Sequence, residues 1–314
     1  MTTATIERPN GQARGLSGTG RDITAVSPGL VAYNLAYLLL AWVAALAAIT
    51  GFWLHPAWYM FAVAFVVVSS RQQALLNCEH EAVHRKFLPR RGWNDFVGRF
   101  VCAAAVGSPF GAAQARHLSH HRLVGSPEDP DLDLYDGADK QSRSGLVRYF
   151  VNGLLGGYAG MVLMGPRAPR AASAGSSPGR DLLSLAAAQL VIAGALTLAF
   201  DWWVYLALWL APLATLTACV HLVRSFVEHA INDHEAPAHH NRLITIRSNM
   251  AERALLSPYF MNYHAEHHLL PSVPAPRLRK LQQRLATRND VPPVLVRSSY
   301  SGAVRRYVRG LRAD

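Results

Sequence analysis

From Leu30 to Phe52 the chain runs twenty-three residues without a charge, and only Asn34 and Thr50 are clearly polar. A helix needs about 20 largely apolar residues to cross a bilayer, so this run is a membrane span and not a soluble core helix. It is not isolated. After a His55-Pro56 turn, Ala57 to Ser70 is again uncharged and continues through Gln72, Ala74 and Leu75, which predicts one helix running on past the membrane. Leu182 to Phe200 is a third span, Asp201 marks a bend, and Trp202 to Val223 is a fourth whose aromatic start suits the headgroup level. Composition agrees, with 51% hydrophobic and 16% charged residues where a soluble domain carries about 25% charge. The expected fold is all-α and integral to the membrane, with four transmembrane helices in two hairpins.

The charge pattern orients those hairpins. The formal charge is +11, and no Lys or Arg occurs between Arg21 and Arg71 or between Arg180 and Arg224. By the positive-inside rule both hairpin tips face out. The termini and the 71 to 180 connection then lie on the cytoplasmic side of a cell membrane, with every histidine except His55 and His221. Phe96 to Ala115 contains Arg99 and a Gly-Ser-Pro break, and Tyr149 to Gly165 contains five glycines and Asn152. Both read as interfacial or partly re-entrant helices. Residues 1–28 read as a disordered arm, 29–288 as the membrane domain and 289–314 as a basic tail. Cys78, Cys102 and Cys219 fit neither a disulfide framework nor a cysteine-ligated cluster, and read as buried thiols.

Fourteen histidines are the anomaly in this composition. Eight fall in three clusters: His80 and His84; His117, His120 and His121; His264, His267 and His268. On a helix, positions i, i+3 and i+4 share one face, so each cluster can aim two or three imidazoles at one point. Neutral imidazole suits iron, zinc, copper or nickel. Three recurrences of ligand spacing on one membrane face favour a metal site over solvated surface histidines. Glu79, Glu81, Asp129, Asp131 and Glu266 are near enough in sequence to support the ligands from behind.

The segments His-Glu-Ala-Val-His at 80–84, His-Leu-Ser-His-His at 117–121 and His-Ala-Glu-His-His at 264–268 resemble the three histidine boxes of the integral-membrane fatty acid desaturase superfamily. The likeness extends to Asn94-Asp95, Gly98-Arg99, Gly125, Asp129-Pro130-Asp131, Asn262-Tyr263 and the Leu269, Pro271, Val273 and Pro274 positions, covering about Leu30 to Leu281. It implies a cytosolic helical cap carrying the boxes, and two iron ions held mainly by histidine. Arg224-Ser-Phe-Val-Glu228-His229 is similar to the pattern by which such proteins add a further ligand, His229. Depth agrees, because Trp202 to Val223 is long enough to cross about 30 Å, leaving His229 just beyond. Arg224 and Glu228 stand at ion-pair spacing. His221 reads as a core residue, His55 as an outer-turn residue, and His234, His239 and His240 as surface residues.

Such a centre implies molecular oxygen as co-substrate and a long apolar substrate, by default a fatty acyl chain on a lipid or carrier. Desaturation is the leading reading, and hydroxylation or ketolation of a lipid, carotenoid or specialised metabolite is the alternative. The sequence has no dinucleotide fingerprint and no cysteine set for an iron–sulfur cluster, so an external electron donor such as ferredoxin with its reductase is expected. A metal transporter or sensor is a weaker reading, since the spans carry few ionisable groups. The basic tail follows a membrane segment and gives no support to nucleic-acid binding.

Overall fold

Ser27 and Pro28 open the first long helix as the sequence physics requires: the Ser27 hydroxyl accepts from the Leu30 amide and proline occupies the first turn. The computed structural model describes residues 21–157, 177–231, 242–288 and 294–311. Four helices in it are long and apolar enough to cross a membrane: α1 (Pro28–Leu54), α2 (Trp58–Val83), α6 (Pro178–Ala199) and α7 (Trp202–His229). Between them come α3 (Arg91–Val106), α4 (Phe110–Leu123) and α5 (Arg143–Leu154). Then follow β1 (Ile244–Ile246), α8 (His264–Leu269), α9 (Leu278–Leu285), β2 (Leu295–Arg297) and α10 (Tyr300–Gly310).

The outward faces of the long helices are apolar, with Leu39, Leu40, Leu190 and Leu198 between 63% and 91% exposed. A surface of that kind needs lipid around it. Inward, polar side chains tie the spans together. Gln72 of α2 donates to the Trp209 carbonyl at 2.7 Å, and the Thr217 hydroxyl of α7 donates to Gln72 Oε1 at 2.8 Å. Both of these contacts fall in π-helical stretches of α7, Leu206–Leu210 and Leu213–Thr217. Asn34, the polar residue in the first run, donates to the Phe87 carbonyl at 2.7 Å and accepts from the Tyr259 hydroxyl at 2.5 Å. These bonds fix how the helices sit against one another.

The second apolar run continues as one helix, as read from the sequence, since α2 extends thirteen residues past Ser70. Phe96 to Ala115 is broken at Gly107-Ser108-Pro109, where α3 and α4 meet at a 97° bend, and Gly107 takes the left-handed conformation the corner requires. Helix α3 approaches α2 closely at Gly98, where a Cβ would stand 2.6 Å from the Ala82 Cβ. Of Tyr149 to Gly165, the described part belongs to α5 and the turn after it; the rest lies outside the described residues.

Both ends of the chain differ from the sequence reading where they are described. Residues 21–27, read as the end of a disordered arm, are docked: Ile23 is buried, Asp22 pairs with Arg284, and Arg277 donates to the Ile23 and Ala25 carbonyls. Residues 294–311, read as a basic tail, form β2, which pairs in parallel with β1, and α10, which packs on α7. A three-residue strand with no alternation of its own leaves no periodicity to detect.

Candidate metal centre

Four elements deliver the histidines to one level. His80 lies on the last turns of α2 with His84 at its C-cap, the second cluster occupies the end of α4, His229 ends α7, and the third cluster makes up α8. Helix α4 is held from outside: the Asp181 carboxylate at the start of α6 accepts from the free first-turn amides of Gly111 and Ala112 at 3.0 and 3.1 Å, and pairs with Arg99.

All nine expected residues come together, in two groups. His80, His84, His117, His121 and His267 form one, and His120, His229, His264 and His268 the other; within each group one ring nitrogen per residue lies within 4.8 Å of all the rest. The clusters do not each aim at one point, as their spacing suggested. In α4, His117 and His121 serve the first group and His120 the second; in α8, His264 and His268 serve the second and His267 the first. Residues i and i+4 are about 40° apart around a helix and i+3 falls to the other side, so each triplet forks.

The nitrogens converge too closely for hydrogen bonds alone. His117 Nε2 is 2.9 Å from both His84 Nε2 and His121 Nε2, and His121 Nε2 is also 2.9 Å from His267 Nε2. In the second group, His264 Nε2 is 2.8 Å from His229 Nε2 and 3.0 Å from His268 Nε2, while His120 and His229 are 3.2 Å apart. An imidazole nitrogen has one in-plane position, a proton or a lone pair, and cannot serve two such partners. Two nitrogens bound at right angles to an ion about 2.1 Å away stand about 3 Å apart, which is the spacing found. Both ring nitrogens of His80 are shut off from solvent, and neither has a hydrogen-bond partner. The donor set therefore fits a pair of first-row metal ions.

Burial, then the neighbouring imidazoles, pushes His117, His121, His264, His267 and His268 well below the ordinary histidine range, and burial brings His84 down to about 4. Neutral rings have the lone pairs a metal requires. Two rings are fixed in tautomer from behind. His120 Nδ1 donates to Asp129 at 2.8 Å and His229 Nδ1 donates to the Arg242 carbonyl at 3.0 Å, leaving both Nε2 atoms free to bind. Asp129 also accepts from the Tyr135 hydroxyl and from the Asp131 amide at 2.9 Å. Burial works against the carboxylate, but His120 and Tyr135 hold Asp129 below its usual pKa.

Of the five carboxylates near the clusters, only Asp129 meets a histidine within hydrogen-bond distance; Asp131 stays 3.8 Å from His120. Glu79 accepts from Ser108 at 2.6 Å, Glu81 from the Ala275 amide at 3.1 Å, and Glu266 from Thr245 at 2.5 Å, so these three brace the frame. Arg224 and Glu228 form the buried ion pair their spacing suggested. Sequence reasoning missed Tyr135, Arg242 and Tyr300. Tyr135 lies four residues past Asp131, and Tyr300, which donates to Glu228 at 2.8 Å, lies in the tail; proximity in sequence to Asp129 was the one signal, and it pointed to Tyr135 alone. His55 is exposed at the outer turn and His221 is half-buried outside both groups. His234, His239 and His240 lie outside the described residues.

Comparison with known proteins agrees with this geometry. Residues 56–295 match the family model described as fatty acid desaturase. The chain is 27% identical to a beta-carotene ketolase of Paracoccus sp. (strain N81106 / MBIC 01143) over 71% of its own length and 83% of the relative's. It is 25% identical to the dihydrorhizobitoxine desaturase of Bradyrhizobium elkanii, over 76% of this chain and 72% of that one. A second beta-carotene ketolase, from Paracoccus sp. (strain PC1), is 27% identical over 64% and 72% of the two chains. With most of its length inside the family match, the chain belongs to the fatty acid desaturase family.

Proposed function

We propose that the protein is an oxygen-dependent desaturase that introduces a double bond into a fatty acyl or similar long apolar chain, with its nine histidines holding two iron ions. The observation that carries this reading is the convergence of nine imidazoles, with His120, His229, His264 and His267 buried, into two adjoining groups where the apolar helices α2 and α7 end. Iron bound there supplies the oxygen activation and C–H cleavage that no side chain can perform. Loss of two hydrogens from the substrate, with one dioxygen, two electrons and two protons, gives the alkene and two waters. The electrons come from an external one-electron donor.

The chain's own residues do the positioning. Asp129 and the Arg242 carbonyl hold His120 and His229 with Nε2 turned inward. Arg242 adopts a left-handed backbone, φ 52°, that aims this carbonyl. His120, His229, His264 and His267 are buried, which keeps water from those rings. In the topology we favour, α1–α2 and α6–α7 are two membrane hairpins, and the remaining elements form a cap on the cytoplasmic side, where the termini also lie. The substrate then reaches the site from the lipid interface.

A second reading, hydroxylation or ketolation of a membrane-soluble substrate, is favoured by the two ketolase relatives. Both readings are tested by expression with ferredoxin and its reductase in a host lacking the gene, followed by mass spectrometry of lipids and carotenoids. Loss of two hydrogens supports desaturation; gain of oxygen supports the second reading. Neither product, in a preparation carrying two irons per chain, overturns both.

A further inference from the structure

Two amphipathic helices flank α7, and their exposed faces differ in kind. On α5 that face carries Val147, Val151 and Leu154, between 46% and 62% exposed, beside Arg148 and Asn152; the mixture suits a lipid interface. On α10 the exposed side carries Arg305, Arg306 and Arg309, and no large apolar residue of that helix is exposed. Its other side packs on α7, with the Tyr307 and Phe226 rings 4.8 Å apart. The whole segment 294–311 has four arginines and no acid. A helix that rests on lipid presents apolar side chains beside its cations. This one faces water.

The same helix begins at the metal centre. Tyr300, its first residue, is fully buried and donates to Glu228 Oε1 at 2.8 Å, while Glu228 Oε2 lies 3.5 Å from His264 Nδ1. β2, just ahead of α10, pairs with β1, and β1 follows Arg242, whose carbonyl holds His229. Thus the cationic surface and two histidines of the four-histidine group are joined through one side chain and one strand pair. The geometry points to α10 as the docking surface for a small acidic one-electron carrier protein. This rests on the oxidative reading above, in which electrons come from outside the chain. Each encounter passes one electron inward and the carrier leaves oxidised, so two encounters serve one turnover. Charge attraction draws the carrier to the arginines, and Tyr300, Glu228 and His264 give a continuous contact path from there.

The test separates docking from chemistry. Binding of a plant-type [2Fe–2S] ferredoxin to the metal-loaded, detergent-solubilised protein is measured by biolayer interferometry at low and high salt, without substrate. The triple variant Arg305→Glu, Arg306→Glu, Arg309→Glu is expected to weaken low-salt binding by about tenfold or more. The control Arg279→Glu, Lys280→Glu reverses two exposed cations on α9 and is expected to leave binding within about twofold. Single-turnover oxidation by protein reduced with dithionite and a small mediator, freed of excess reductant and then given dioxygen, should be equal in wild type and triple variant, which shows that the variant is folded. Equal ferredoxin binding by wild type and triple variant overturns the proposal, as does a larger loss in the α9 control or wild-type binding that salt does not weaken. If no reductant drives oxidation in any of these proteins, the functional reading fails while the binding result still decides the surface.

Discussion

Replacing Asp129 by Asn should loosen one metal ion and leave the other in place. Asp129 is 5% exposed, and its two oxygens receive His120 Nδ1 at 2.8 and 3.1 Å, the Asp131 amide at 2.9 Å, the Gly125 amide at 3.3 Å and the Tyr135 hydroxyl. Asn keeps the shape but turns one acceptor into a donor where only donors approach. Tyr135 must then reverse its hydroxyl, and His120 keeps a neutral acceptor in place of a charged one. The difference between charge-assisted and neutral hydrogen bonds is about 1–2 kcal/mol, or about 5- to 30-fold in affinity. That agrees with the general cost of losing an outer partner of a metal-binding histidine. His120 belongs only to the four-histidine group, so the loss is confined there. Loading with Co(II), stripping with graded chelator and counting metal per chain should give two steps in wild type, with one of them shifted in the variant. Equal weakening of both steps, or of neither, would refute the link from Asp129 through His120 to one ion.

His120→Ala and His267→Ala occupy the same i+3 position in their clusters but belong to different groups, so metal analysis should show each losing a different ion, and His55→Ala losing none. Gly98→Ala should lower the melting temperature, because its Cβ meets Ala82 at 2.6 Å and Phe110 at 2.7 Å; overpacking of this kind costs about 1–3 kcal/mol, and an unchanged melting curve would contradict the tight α2–α3 approach. In the metal-free protein six imidazoles, His84, His117, His121, His264, His267 and His268, are held below their unfolded value of about 6.5, with His84 at about 4. On these six groups the unfolded chain therefore binds more protons below about pH 6.5, and the stability they contribute should fall as pH drops from there toward 4. A melting temperature that rises on acidification would reverse this sign.

The membrane spans were legible because a bilayer imposes a length and a uniform apolarity that a sequence displays directly. The continuation of α2 was legible too, since its apolar run passes through Gln72, Ala74 and Leu75 without a helix breaker. How the spans register against each other was not. It depends on the Gln72 bond to the Trp209 carbonyl, which lies in a π-helical stretch of α7 that no residue pattern announces. Nearness in sequence likewise could not tell Asp129, which supports a histidine, from Glu81, which reaches across 194 residues to the Ala275 amide.

The fork in the two triplets explains why two helices of unequal length and unrelated neighbours carry the same His-x-x-His-His pattern. A single metal ion is served by i and i+4 alone, as His80 and His84 serve the first group. Adding a histidine at i+3 places its ring about 60° to the other side, too far round to share that point, but suited to a second point one ring away. With α4 giving two and one, and α8 one and two, the pair is nearly symmetric before α2 adds two rings to the first group and α7 adds His229 to the second. His121 sits where the groups adjoin: its Nε2 joins the first, while its ring stacks on His268 of the second at 4.1 Å. One residue inserted between His117 and His120 would turn the helix by about 100° and send both groups' rings away from their partners. The spacing therefore encodes a pair of sites, and a single-ion protein would have no physical reason to keep it twice.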